Sequence, residues 1–250
     1  MAFCADVSPA SLLAAYRRGL MPLPMPDNRT RMKRKAAYSR HVAKGTVAIV
    51  GSPSGDHDDA DPYWVEWWSP DPRPVLDVSA VHLGRHARRQ LRSLNLWTTA
   101  NTAFTRVAEE CRSGRPFAWL TDELLSSLIA LHDDGWAHSI EVWLDDRLVG
   151  GTIGIGMGTV LSGDTVFGRV PEAARIALAD TAARLCDAGG RLIDAQIDSP
   201  LLRSVGASLM RRCDYLALLP DFSVRVPIDG TPLPAQRLLP TQTSHLPRTR

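Results

Sequence analysis

The clearest alternation of hydrophobic and polar positions lies in the second half of the chain. Residues 139–144 alternate, Asp145 and Asp146 favour a turn, and residues 147–155 and 159–162 continue the pattern. Side chains of a strand point alternately to its two faces, so this spacing is typical of strands with one buried face. The pattern therefore predicts three antiparallel strands joined by short turns.

A helix and one more strand are predicted after these three strands. Residues 172–188 are rich in alanine and carry apolar residues at helical spacing, and residues 191–198 are typical of a short buried strand. In such a strand Asp194 and Gln196 share one face, about 6–7 Å apart. Because an unpaired buried polar group costs free energy, both need partners, either in a purely structural pair or in a functional site.

The remaining parts of the chain are less regular. Asp27–Asp61 is rich in charge, glycine and serine, which indicates an inserted mobile loop. The proline-rich residues 226–250 are expected to be a poorly ordered tail. Short helices are expected over residues 8–20, 81–94 and 102–112, and Thr121 is expected to cap a further helix. Short strands are expected over residues 46–50 and 97–99.

Composition and cysteine usage restrict the class of protein. The chain has 250 residues, a formal net charge of +2 and 44% hydrophobic residues, as in ordinary soluble globular proteins. No apolar run approaches the length of a membrane span, and the first residues lack the regions of a secretion signal. The cysteines show neither disulfide nor metal-ligand spacing, which indicates free thiols in a reducing cytoplasm; they are Cys4, Cys111, Cys186 and Cys213.

Positive charge is concentrated in two runs. One occupies residues 29–35, and the other, from His82 to Arg92, contains no acidic residue. Such runs attract polyanions through counterion release, although each also fits a solvated helix face. The arginines of the second run are Arg85, Arg88, Arg89 and Arg92.

Motifs for several common chemistries are missing from the sequence. The run Gly154–Gly158 lacks the spacing of a dinucleotide-binding loop, and there is no Walker lysine, HExxH motif or paired CxxC. His132 and His138 bracket a predicted turn and are candidates for a base or a ligand, although structural roles are commoner there. The tryptophans at positions 64, 67 and 68 fit either a hydrophobic core or a platform for a base.

A series of short motifs carries a family resemblance through its order along the chain. The motifs are Leu12–Pro22, Trp67–Arg73, Trp119–Thr121, His138–Trp143, Leu148–Gly151, Gly163–Arg169, Leu192–Gln196 and Ser204–Ala207. Each is weak alone, but the ordered set resembles the bacterial leucyl/phenylalanyl-tRNA–protein transferase family over roughly residues 7–218, with this chain as a divergent member.

The resemblance implies both a fold and an activity. The fold is α+β, with a small N-terminal domain over residues 1–70 and a GNAT-like acyltransferase domain over residues 71–225, in agreement with the predicted strand order. The activity is transfer of leucine or phenylalanine from aminoacyl-tRNA to the N-terminal amine of cytoplasmic proteins that begin with Lys or Arg, which marks them for degradation. An aminoacyl ester is already activated, so no cofactor and no metal are expected.

The resemblance also assigns roles to individual residues. Asp194 and Gln196 match a relay that draws the proton from the acceptor amine, and Asp194 also matches a negative charge beside the cationic first residue of the acceptor. Trp119 matches a residue that stacks on the 3′-terminal adenosine of the tRNA. The resemblance implies a tRNA but not which basic residues touch it; from its charge, the run from His82 to Arg92 is expected to contact the tRNA backbone. The pocket for the donor side chain is implied to contain Thr152, Asp164, Val166, Phe167, Leu178 and Ile193.

Several positions depart from the family pattern. Leu23 stands where the family has an aromatic residue, Asp164 is one methylene shorter than the usual glutamate, and Leu128 and Leu201 replace a tyrosine and a histidine. These departures bear on substrate choice and on activity. Two alternatives therefore stay open: an acyltransferase of the same fold with an acyl-CoA donor, although residues 164–175 lack a pyrophosphate-binding loop, and a tRNA-binding relative without catalysis.

Overall fold

The computed structural model describes residues 1–51, 60–113, 119–219 and 224–240, which form an α+β architecture. The strands are β1 (Ala2–Phe3), β2 (Met21–Pro24), β3 (Ala48–Ile49), β4 (Val65–Trp68), β5 (Arg73–Asp77), β6 (Leu96–Ala100), β7 (Ala137–Leu144), β8 (Arg147–Met157), β9 (Val160–Gly168), β10 (Leu192–Asp194), β11 (Ser208–Met210) and β12 (Leu233–Pro234). The α-helices are α1 (Pro9–Tyr16), α2 (Asn28–Ala43), α3 (Arg85–Ser93), α4 (Phe104–Arg112), α5 (Asp122–Asp133), α6 (Ala173–Asp187), α7 (Pro200–Arg203) and α8 (Arg212–Leu218). Two 3-10 helices cover Pro62–Trp64 and Ala235–Leu238.

The larger of the two sheets contains the predicted meander. Its strands lie in the order β11-β5-β10-β9-β8-β7-β6-β12, and successive strands from β6 to β9 are antiparallel. Helix α6 then leads into β10, which pairs in parallel with β9 and antiparallel with β5. The predicted order of three antiparallel strands, a helix and a strand is confirmed.

Strand β10 is shorter than the sequence pattern predicts. It ends at Asp194, whereas the pattern over residues 191–198 predicted a strand that continues through Gln196. The backbone N–H of Gln196 donates to Asp194 Oδ1 at 3.0 Å instead of joining a strand ladder, and Gln196 has a φ of +58°. The prediction that Asp194 and Gln196 share one strand face is therefore wrong.

Different helices cover the two faces of the larger sheet. Helix α6 packs on one face, where Ile140 and Ile193 contribute to the buried clusters, and α3 packs against α6. Helices α4 and α5 pack on the other face with Val107, Leu128 and Ile153. Consecutive residues of one strand therefore point into the cores on opposite faces of the sheet. This alternation determines which side chains reach the space beneath α6.

The smaller sheet is built from the N-terminal part of the chain. Its order is β2-β4-β1-β3, and β3 lies within the strand predicted over residues 46–50. Leu12 of α1 and Trp67 of β4 belong to the same buried cluster as Leu128 of α5. The smaller sheet and α1 thus pack onto the face of the larger sheet that carries α4 and α5.

Helix α2 contradicts the expected mobile loop over Asp27–Asp61. The side chain of Asp27 caps this helix by accepting from the backbone N–H of Thr30 at 2.6 Å. None of its residues is buried, so the helix leaves no hydrophobic periodicity in the sequence. It is held partly by ion pairs, among them Lys35 Nζ at 3.0 Å from Asp61 Oδ2. Residues 52–59 of the expected loop lie outside the described residues.

The C-terminal segment contradicts the expected poorly ordered tail over residues 226–250. Val226 and Ile228 are buried, and β12 pairs with β6 at the edge of the larger sheet. A buried Arg184 of α6 donates to the carbonyl oxygens of Asp229 and Thr231, and Arg237 Nη2 lies 2.7 Å from Asp180 Oδ1. Polar contacts with α6, which composition does not reveal, hold this segment; residues 241–250 lie outside the described part of the chain.

Within the described ranges, no helix is long and apolar enough to cross a membrane. Cys186 and Cys213 are exposed free thiols, as the sequence predicts, and Cys4 and Cys111 are buried.

Candidate active site

Asp194 lies in a buried ion pair with Arg73. Their strands are neighbours, and the guanidinium meets both carboxylate oxygens, with Nε at 2.8 Å from Oδ1 and Nη2 at 2.7 Å from Oδ2. Tyr215 Oη at 3.0 Å and Ser162 Oγ at 3.3 Å donate to the same carboxylate. Exposure is 0% for Asp194 and 1% for Arg73, so the negative charge is neutralised inside the protein. Asp194 therefore does not present a free charge to the acceptor, contrary to the role that the resemblance implies.

Gln196 and Asp194 meet through Ser162 rather than through a shared strand face. Gln196 Nε2 donates to Ser162 Oγ at 2.8 Å and to Asp164 Oδ1 at 2.7 Å. Ser162 is the parallel partner of Asp194 in β9, which places the hydroxyl between the two side chains. Ser162, Arg73 and Tyr215 were not among the predicted site residues. The pairing of distant strands brings Ser162 and Arg73 to Asp194, and helix α8 brings Tyr215.

Asp164 sits in a β-bulge of strand β9. Ile153 pairs with Thr165 and Gly154 with Gly163, which leaves Asp164 as an extra residue in its strand. Tyr16 Oη of α1 donates to Asp164 Oδ1 at 2.7 Å, whereas the buried Oδ2 has no hydrogen-bond partner within the described residues. The bulge thus aims this carboxylate toward the first helix of the chain.

Burial controls the protonation of this pair. It raises the pKa of Asp164 to about 7, hydrogen bonds from Tyr16 and Gln196 lower it, and the negative charge of Asp194 raises it further. Burial and the neighbouring charge of Asp164 raise the pKa of Tyr16 well above its ordinary value, so the phenol stays a neutral donor. Asp164 can therefore exchange a proton near neutral pH.

A cavity of about 370 Å³ lies beneath α6, and we call it the α6 cavity. Its lining includes most of the residues predicted to form the pocket for the donor side chain: Thr152, Asp164, Val166, Leu178 and Ile193. The Thr152 hydroxyl donates to the carbonyl oxygen of Thr165 at 2.6 Å, which satisfies the polar group of that wall within the protein. Leu161, Leu201 and Leu202 add further apolar lining.

Phe167 does not line the α6 cavity. It follows Val166 in β9, so its side chain points to the opposite face of the sheet and packs against the cluster formed with α4 and α5. The placement of Phe167 in this pocket is therefore wrong, and strand alternation is the reason.

A second cavity, of about 360 Å³, is lined by Trp119, and we call it the Trp119 cavity. Trp119 is half-buried, and its Nε1 has no hydrogen-bond partner within the described residues. Leu23 of β2 lines the same cavity, where the family pattern has an aromatic residue. Asp164, Gln196 and Ile197 line both cavities, so the two spaces meet at these residues.

The arginines predicted to contact tRNA lie on α3, which lines neither cavity. Arg85, Arg89 and Arg92 are exposed, whereas Arg88 is half-buried and its Nε donates to the carbonyl oxygen of Leu83 at 2.7 Å. Helix α3 therefore presents a basic surface apart from the site, and its role stays a prediction.

The other candidates from the sequence lie outside the two cavities. Burial lowers the pKa of His138 to about 4, and the ring of His132 stacks on Phe104 with centroids 4.3 Å apart. Trp67 is buried in the core, and Trp64 is exposed beneath the guanidinium of Arg31. Across the described ranges, no group of three His, Cys, Asp or Glu side chains is arranged to hold a metal ion.

Comparison with known sequences shows which family the chain belongs to. The family model for leucyl/phenylalanyl-tRNA protein transferase matches residues 75–220. The chain belongs to this family. Similar relatives, each named leucyl/phenylalanyl-tRNA–protein transferase, come from Chromohalobacter salexigens (34% identity, covering 92% of this chain and 77% of the relative) and Azoarcus sp. (34%, 88% and 80%). Another comes from Novosphingobium aromaticivorans, with 36% identity over 85% of this chain and 70% of the relative.

One solved structure is similar to this member of the transferase family at a low level. It is a conserved protein of unknown function from Bacteroides thetaiotaomicron, with a TM-score of 0.42, 10% identity, and coverage of 87% of this chain and 88% of that one. A likeness of this size supports no assignment of fold or function.

Proposed function

We propose that this protein transfers leucine or phenylalanine from aminoacyl-tRNA to the N-terminal amine of an acceptor protein that begins with Lys or Arg. Membership of the transferase family supports the proposal. The acceptor carries one added residue after transfer, and in the cytoplasm this residue marks it for degradation.

The meeting of the two cavities is the observation that carries the proposal. The α6 cavity is lined largely by aliphatic side chains and suits a leucine or phenylalanine side chain. The Trp119 cavity offers an indole on which the terminal adenine stacks. A donor that fills both cavities places its ester carbonyl at their junction, beside Asp164 and Gln196.

Gln196 and Asp194 have different parts in this proposal. Both amide hydrogens of Gln196 are used by Ser162 and Asp164, so its carbonyl oxygen is the atom that orients the acceptor amine. Asp194 lines neither cavity and acts as a positioning residue, because its carboxylate holds the backbone N–H of Gln196. Arg73 in turn fixes that carboxylate.

The finer fold assignment is part of the same proposal. We assign a GNAT-like domain to residues 71–225 and a small N-terminal domain to residues 1–70. The succession of the β6–β9 meander, α6 and β10 supports the first assignment, and the separate sheet β2-β4-β1-β3 supports the second.

An assay of transfer to defined peptides tests the proposed function. Labelled leucine on tRNA is offered to a peptide that begins with Arg, to the same peptide with an acetylated amine, and to a peptide that begins with Glu. We expect label in the first peptide alone, and equally with phenylalanine as the donor. Tight tRNA binding without transfer would instead support the non-catalytic relative, and acylation from an acyl-CoA would support the alternative acyltransferase.

A further inference from the structure

Peptide bond formation at this site has to dispose of a proton. When an amine attacks an ester, its nitrogen gains positive charge and must lose a proton to a base. The identity of this base rests on the proposed function, which places the ester carbonyl where the α6 cavity and the Trp119 cavity meet. Among the described residues, those that line both cavities are Asp164, Gln196 and Ile197.

Only Asp164 among these side chains can hold a proton. Ile197 has no titratable group, and the amide of Gln196 is not a base at any ordinary pH. Asp194 is fully buried in its ion pair and lines neither cavity. Tyr16 reaches the Trp119 cavity, but burial keeps its phenol protonated.

We propose that the carboxylate of Asp164 is the general base of the transfer. Tyr16 Oη and Gln196 Nε2, each at 2.7 Å, both donate to Oδ1 and hold the group at the junction. Oδ2 is buried and has no hydrogen-bond partner among the described residues, so the carboxylate keeps acceptor capacity that the folded protein does not use. A buried acceptor without a hydrogen bond costs folding free energy. Its presence at the junction is consistent with an oxygen that accepts a hydrogen bond from the substrate.

The step balances without a cofactor. The acceptor nitrogen bonds to the carbonyl carbon, the carbonyl oxygen takes up negative charge, and the proton of the nitrogen passes to Asp164. The bond from carbon to the ribose oxygen then breaks, and Asp164 returns the proton to that oxygen. The products are a peptide bond and a tRNA with a free hydroxyl, and the carboxylate is regenerated.

The surroundings of Asp164 suit this task. Its pKa, raised to about 7 chiefly by burial, lies near the pH at which a base works best in a neutral cell. Tyr16 from α1 and Asp194 from β10 are the titratable groups that act directly on it. Among the described residues, the other charged or titratable groups around the junction are Arg73 and Tyr215, which bond to Asp194, and Arg34, which lies on the wall of the Trp119 cavity and pairs with Glu66.

Three variants test the proposal under single-turnover conditions. Asp164→Asn keeps an oxygen for Tyr16 and Gln196 but accepts no proton, whereas Asp164→Glu keeps a carboxylate. Asp187→Asn, at an exposed position of α6, is the matched control. Leucine transfer to a peptide that begins with Arg is followed across the neutral pH range, and spontaneous ester hydrolysis is measured in parallel.

We expect the wild-type rate to fall as the pH drops through about 7, because the carboxylate becomes protonated. Asp164→Asn should lower transfer by about 10²–10⁴-fold and lose this titration. The acceptor amine, which titrates at about pH 7.7–8.0, contributes equally to all variants, so the difference between profiles reports Asp164. Asp164→Glu should keep activity with a shifted inflection, and Asp187→Asn should match the wild type.

Melting curves separate a lost base from a lost fold. The pKa of Asp164 is raised in the folded state, so its ionisation weakens folding as the pH rises through about 7. Asp164→Asn carries no such charge and should melt no lower than the wild type above that pH. If it fails to fold, Asp164→Glu decides, since an unchanged inflection overturns the proposal.

The failures of the two proposals are distinguishable. Transfer by Asp164→Asn within a few-fold of the wild type, with the same pH profile, overturns the role of Asp164 and leaves the proposed function standing. Absence of transfer by the wild type overturns the proposed function itself.

Discussion

At the scale of single residues, the ion pair between Arg73 and Asp194 both stabilises the folded protein and holds Asp194 in the site. We expect Arg73→Met to lower the free energy of unfolding by about 3–5 kcal/mol, because it leaves Asp194 buried without its countercharge. Urea unfolding measures this loss. Arg211→Met is the matched control, since Arg211 pairs with Asp214 on the exposed surface. Equal unfolding curves for the two variants would show that the buried pair does not hold the site.

Trp119 gives a second prediction at the same scale. Because Leu23 offers no aromatic face, we expect Trp119 to carry the proposed stacking on adenine alone in this cavity. Trp119→Ala should weaken binding of a non-hydrolysable leucyl-adenosine by about 1–3 kcal/mol, measured by calorimetry. Trp97→Ala, at an exposed position of β6, is the control and should bind normally. A lower melting temperature with unchanged affinity would assign Trp119 to the core instead.

Sequence resemblance predicted the lining of the α6 cavity better than the contacts within the site. Thr152, Val166 and Leu178 lie together in the lining of this cavity, whereas Phe167 does not, because it neighbours Val166 on an alternating strand. The partners of the two carboxylates were not predictable from local pattern. The residues of the Tyr16 and Asp164 pair are 148 positions apart, and the arginine partner of Asp194 lies 121 positions away from it.

At the scale of elements, helix α3 is predicted to contact the tRNA backbone. Replacing Arg85, Arg89 or Arg92 by alanine should each reduce the slope of log affinity against log salt by about 0.9. Filter binding with charged tRNA across a salt series gives the slope. Arg211→Ala should leave the slope unchanged, because Asp214 already neutralises that charge. Slopes that stay at the wild-type value in all α3 variants would move the tRNA contact to another surface.

Elements were predictable where they bury an apolar face. The β7–β9 meander and α6 pack against the core and show clear periodicity, so the sequence predicted their order. Helix α2 buries no residue, and polar contacts and ion pairs help to hold it. The end of β10 depends on a hydrogen bond between Gln196 and the side chain of Asp194, which no hydrophobic pattern records.

At the scale of the whole molecule, the C-terminal segment closes the edge of the larger sheet. A chain that ends at Arg225 loses the burial of Val226 and Ile228, each worth about 1.5–3 kcal/mol. It also removes Arg237 from the buried Asp180. We expect a much lower melting temperature than that of a chain ending at Pro240. Equal melting temperatures for the two chains would contradict a structural role for residues 226–240.

The site itself belongs to the whole molecule, because it lies between the two sheets. Leu23 from the smaller sheet and Gln196 from the segment after β10 line one cavity, and Tyr16 of α1 reaches across to Asp164 of β9. Neither part of the chain forms the Trp119 cavity alone. The proposed transfer therefore requires a donor that spans both cavities at once.

The measurement that tests this most directly compares two side chains on one tRNA. The same tRNA is charged with leucine or with alanine, and single-turnover transfer to a peptide beginning with Arg is timed. With the protein kept well below saturation, the extra carbons of leucine, buried in the α6 cavity at about 0.8 kcal/mol each, predict transfer roughly 50-fold faster than that of alanine. Equal rates for the two donors, or no transfer of leucine, would contradict the account.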